Sequence, residues 1–107
     1  MADLNEVRDL VQEQLAPTFY GTRFELASDA EQRYLAAMAS LGAPPYSTAE
    51  VARAWGAADQ RQTPMHRDSL IQKGLIWSPR RGQVDFSVPL FAEFLLQHHP
   101  IRAFDEE

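Results

Sequence analysis

Three short capping signals divide this chain before anything else about it matters. Asp3 with Glu6, Ser28 with Glu31 and Ser47 with Glu50 each set a small polar side chain three residues ahead of a glutamate, a spacing that lets the two residues satisfy each other's free backbone N–H groups at a helix start. Each signal is followed by a stop, at Pro17, at Gly42 with Pro44 and Pro45 beyond, and at Gly56. Proline cannot continue a helix and glycine adopts the left-handed cap that closes one, so the chain is broken into short helices. The spacing predicts a first helix over 4–15 carrying Leu4, Val7, Val11 and Leu15, and a second from Ser28 carrying Tyr34, Leu35, Met38 and Leu41. A third, short helix carries Val51, Ala52 and Trp55. Between the first two, Phe19, Tyr20, Phe24 and Leu26 lack a clean period, and 17–27 is expected to be an ordered connector whose aromatic rings cover apolar surface.

Thr63 can cap a fourth helix with Pro64 at its first position, where the missing N–H is harmless, and Gly74 follows its end,. Leu70 and Ile71 are expected to face inward. Residues 75–78 and 83–88 are rich in strand formers, with Pro79, Arg80, Arg81 and Gly82 between them as a four-residue hairpin loop,. Val84, Phe86 and Val88 alternate with Gln83, Asp85 and Ser87, which gives the second strand one apolar face,. Pro89 starts a last helix with Leu90, Phe91, Phe94 and Leu95, stopped near Pro100. Tyr34, Trp55, Trp77, Phe86, Phe91 and Phe94 are expected in the core.

A chain of 107 residues is one domain's worth and can bury enough surface to fold without staples. It has no cysteine, which excludes disulfides, thiolate nucleophiles and sulfur-based metal sites. The apolar runs are far short of a membrane span and the first residues are acidic where a signal peptide is basic. A soluble, cytoplasmic protein without a membrane partner is expected. The net charge of −5 argues against a generally basic nucleic-acid binder, yet the charge is segregated. Residues 60–84 carry Arg61, Arg67, Lys73, Arg80 and Arg81 against Asp68 alone, a balance of +4 that leaves −9 on the rest.

Helices followed by a two-stranded hairpin and a final helix, with a tight connection between the two helices before the hairpin, is the order of an α+β winged helix-turn-helix with an added N-terminal helix. In that arrangement the helix after the turn enters the DNA major groove and the hairpin reaches phosphates beside it. Both elements lie in the basic segment.

The run HRDSLIQKGLIWSPRRGQVDFSVPLFAEFL, residues 66–95, resembles the C-terminal winged-helix domain of a group of bacterial AAA-type ATPases, whose members carry a similar RD-LI-KG-LIYSP-RG-V-F-VPLF-EF pattern. RFELASDAEQRYLAAMASLG, residues 23–42, resembles the helix that opens the same domain. Trp77 stands where that family more often has tyrosine. The resemblance implies a fragment or relative of a longer ATPase, with 1–27 as an N-terminal helix and connector to a missing ATPase lid, 28–99 as the winged-helix domain and 100–107 as an acidic tail. ATP and magnesium are implied only for the missing module, because no GxxxxGK[ST] phosphate loop occurs in this chain,.

The candidate DNA-binding residues are Arg61, His66, Arg67, Lys73, Arg80 and Arg81. Each has an ordinary alternative. Arginines at a hairpin tip are also what a solvated turn carries, Arg67 adjoins Asp68, and His66 can be a plain surface histidine. Arg67 and Lys73, six residues apart, can point to different sides. His98 and His99 are adjacent and make a poor metal pair. With no nucleophile elbow, HExxH or ligand cluster in the chain, catalysis is not expected. The expected function is a non-catalytic domain that binds duplex DNA for an AAA-type ATPase. The alternatives are a protein-interaction or self-association module that regulates the ATPase or docks a partner such as the parent ATPase module, or a freestanding winged-helix transcription regulator.

Overall fold

A computed structural model of the chain describes residues 16–56 and 62–102. The expected helix over 4–15, Arg61 and the last acidic residues lie outside these. Within them the fold is α+β: five α-helices and a small antiparallel sheet of three strands.

The central element is α2, Asp29–Ser40. Its start follows the sequence closely, since Ser28 Oγ accepts from Glu31 N at 3.2 Å and Glu31 Oε1 accepts from Ser28 N at 3.0 Å. Tyr34, Leu35 and Met38 are buried, and so are Ala36, Ala37 and Ala39. A helix buried nearly all round is one enclosed by neighbours, and small alanines let them approach: α3 (Thr48–Trp55), α4 (Thr63–Gln72) and α5 (Phe91–His98) all pack on it. Burial pushes the Tyr34 phenol up to about 12, against a smaller opposing effect of Arg67,. Gly56 ends α3 at φ +76°, a left-handed cap that residues with a Cβ adopt poorly.

The expected connector over 17–27 is instead helical: a π-type turn, Ala16–Tyr20, runs straight into α1, Gly21–Glu25. Its aromatics do cover apolar surface. Tyr20 and Phe24 are buried, Tyr20 stacks on Phe94 at 5.4 Å and meets Phe91 at 5.9 Å, and its hydroxyl donates to Pro89 O at 3.0 Å. The irregular period reflects the π turn, which shifts the register of the apolar positions. His99 stacks on Phe24 with 4.0 Å between ring centres. Burial there pushes its imidazole below the usual histidine value, and His98 adds to the effect.

The hairpin is joined by a third strand that the sequence pattern did not announce. β1 (Tyr46–Ser47) pairs with β3 (Gln83–Phe86), which pairs in turn with β2 (Ile76–Trp77), so the order is β1-β3-β2. The registers are Tyr46 opposite Val84 and Ile76 opposite Phe86. Two residues are too few to show alternation, which is why β1 is not legible. Ile76 and Val84 point into the core, whereas Trp77, opposite Asp85, is 49 % exposed. Its expected core position is therefore corrected: it occupies the outward side of the period-two pleat. Ile71 is corrected likewise, being 36 % exposed while its neighbour Leu70 is fully buried. The last helix begins at Phe91 rather than Pro89, because Leu90 adopts φ +66° and turns the chain so that Phe91 enters the core. Among the described residues no helix is long and apolar enough to cross a membrane.

Candidate nucleic-acid interface

α4 begins one residue earlier than its capping pattern implies. Thr63 is buried inside the first turn, and Gln62, already in helical conformation, precedes it. The inward faces of Thr63 and Leu70 fix the rotation of the helix. With about 100° per residue, Met65, Asp68 and Gln72 form the outward ridge, and all three are exposed. Arg67 and Ile71 flank that ridge on one side; Ser69 and Lys73 flank it on the other.

On the first flank, α4 and the hairpin enclose an open groove of about 450 Å³. Arg67, Asp68 and Ile71 supply one wall, with Thr48 at the start of α3. Ser78, Arg81, Gly82 and Gln83 supply the other. The hairpin loop is held in place by its own hydrogen bonds. Ser78 Oγ donates within the loop, 2.7 Å from Arg80 O and 2.8 Å from Gln83 O, and Gln83 N donates to Arg80 O at 3.0 Å. Gly82, at φ +80°, takes the turn and accepts from Thr48 N at 2.9 Å. That last bond, together with the β1–β3 pairing, fastens the loop to the start of α3. Arg80 and Arg81 are both exposed on a loop whose backbone is already ordered, so a ligand bound there would not have to organise it.

The sequence-derived candidates therefore separate. Arg67 and Arg81 both line the groove, one from α4 and one from the hairpin loop, and Arg80 precedes Arg81 on that loop without lining it. Arg67 Nε lies 3.4 Å from Asp68 Oδ1, an exposed contact of small energetic value,. Lys73 does not join them: its Nζ donates to Glu31 Oε1 at 2.5 Å, on the opposite flank. Glu31 is buried. Burial raises its pKa, but the hydrogen bond from Lys73, helped by Ser69 and the Ser28 backbone, outweighs this and holds the carboxyl below the usual range,. His66 is half-buried with its ring 5.4 Å from Trp55, and its Nε2 has no hydrogen-bond partner among the described residues. It does not line the groove. Arg61 lies outside the described residues. Sequence reasoning missed Thr48 as a groove residue, because only the unforeseen β1 strand brings the start of α3 to the hairpin; Ser78 and Gln83, at the two ends of the loop, enter the sequence reading only as strand residues. No group of three or more potential metal ligands occurs among the described residues.

No curated protein and no solved structure matches the sequence significantly. A family model does match, over residues 17–95, which takes in α1 to α4 and all three strands and leaves out only Ala16 of the π-type turn and the last residues of α5 among these elements. With most of its length matched, the chain belongs to the family described as Domain of unknown function (DUF8462).

Proposed function

We propose that this domain is a winged helix-turn-helix that binds duplex DNA through α4 and the β2–β3 hairpin, as a non-catalytic module of an AAA-type ATPase. The element order α2-β1-α3-α4-β2-β3, with β1 paired to β3, supports the winged-helix reading. The resemblance of residues 23–42 and 66–95 supports the ATPase parentage. The observation that carries the binding reading is the presence of Arg67 and Arg81 in the lining of one groove, from separate elements of a chain that is otherwise strongly anionic. Two guanidinium groups on facing walls fit phosphate oxygens along a duplex edge. Arg80 adds a third cation at the loop.

Salt dependence tests this. Three phosphate contacts give a slope of log affinity against log salt of about −2.7, and Arg67→Ala and Arg81→Ala should each reduce its magnitude by about 0.9. Fluorescence anisotropy with a labelled duplex, titrated at several salt concentrations, measures the slope. Absence of binding at low salt, or unchanged slopes in both variants, would remove the reading.

A further inference from the structure

We infer that the outward ridge of α4 reads base edges and that Asp68 selects cytosine; the inference rests on the DNA-binding reading above. If Arg67 and Arg81 hold phosphates, the ridge of Met65, Asp68 and Gln72 is the part of α4 turned furthest from the buried Leu70, and it is what a major groove would meet. Its chemistry is unlike that of a backbone-binding surface. Asp68 places a carboxylate in the lining of a groove that also holds two arginines, and a carboxylate repels phosphate. A carboxylate only accepts hydrogen bonds. The base-edge donor suited to an aspartate in the major groove is the cytosine N4 amino group. Its contact with Arg67 engages one oxygen, Oδ1, and a carboxylate has two. The cations that pair best with guanine lie off the ridge: Arg67 on one flank, Lys73 bound to Glu31 on the other. Met65 and Ile71, both exposed, are apolar and suit thymine methyl groups beside the cytosine.

The test is selection from a random-sequence duplex library by the 107-residue chain and two variants. The wild type should enrich cytosine at one position. Asp68→Asn should move that position to adenine, since an asparagine amide pairs with adenine N6 and N7, and leave the others unchanged. Asp68→Ala should flatten the preference there by about 5- to 150-fold, while affinity for duplexes lacking the cytosine rises because a negative charge leaves the groove. Asp68 is 65 % exposed in its side chain, so both variants should fold, as thermal unfolding would verify. Duplex binding without a base preference, or the same preference in all three proteins, overturns the role of Asp68 but spares the binding reading. Failure of the wild type to retain any duplex at low salt overturns both.

Discussion

Replacing Phe91 with alanine should lower stability by about 3–5 kcal/mol. Its ring is fully buried where three segments of the chain converge. Tyr20 from the π turn lies at 5.9 Å, Phe86 from β3 is stacked at 5.7 Å, and Phe94 from α5 meets it edge-on at 5.9 Å. Removing the ring loses its transfer free energy and leaves a cavity between elements that cannot all close in at once. A domain of this size has a total stability of about 5–15 kcal/mol, so the variant would sit close to unfolding. Urea denaturation followed by circular dichroism measures the loss. A change below about 1 kcal/mol would mean that the cluster repacks freely, contrary to the wall of aromatic side chains described here. Phe86, only half-buried, should be the more tolerant position.

Lys73→Ala should cost about 2 kcal/mol at neutral pH, near the middle of the range for hydrogen bonds to charged groups. The figure lies below that for a fully buried pair because the lysine side chain is 34 % exposed, and solvent screens part of the attraction. The substitution leaves the buried Glu31 carboxylate without its main partner. pH separates this account from simple loss of packing. The folded-state pKa of Glu31 is held below its unfolded value near 4.5. Its contribution is therefore fully present above that value and is lost as pH falls through the folded pKa. In Lys73→Ala the lowering from Lys73 is gone, while the raising effect of burial and the lowering by Ser69 and the Ser28 backbone remain, so Glu31 should take up its proton at higher pH in the variant than in the wild type. The difference between the two proteins should be full at neutral pH and shrink as pH falls from the variant's folded-state Glu31 pKa to the lower one of the wild type. A difference that stays constant into acid would assign the loss to the lysine methylenes instead.

Much of the helical layout could be read from local chemistry. The Ser28–Glu31 box and the Gly56 cap occur where their side-chain and backbone preferences place them. The hairpin is also legible, because β-formers on both sides of Pro79–Gly82 leave the chain few other conformations. What escaped was set by distant partners. The helical form of 16–25 depends on Tyr20 and Phe24 finding Phe91, Phe94 and His99. The strand β1 exists only because Tyr46 and Ser47 meet Val84 and Gln83. The same limit applies to the candidate interface. Charge segregation marked the basic segment, but which cations stay available depended on Glu31, in an element 42 residues away along the chain from Lys73. Sequence spacing alone placed Arg67 and Lys73 about 240° apart on a helix, and the packing of α4 then decided that Arg67 has the hairpin side.

The central claim is that α4 and the hairpin form one surface for duplex DNA. Titrating a duplex into the isotope-labelled chain and following backbone amide chemical shifts tests it most directly. Shifts should concentrate in residues 64–72 and 78–83 and at Thr48, while α1 and α5 remain unmoved. Shifts confined to α1 and α5, or none at saturating duplex in low salt, would contradict the claim.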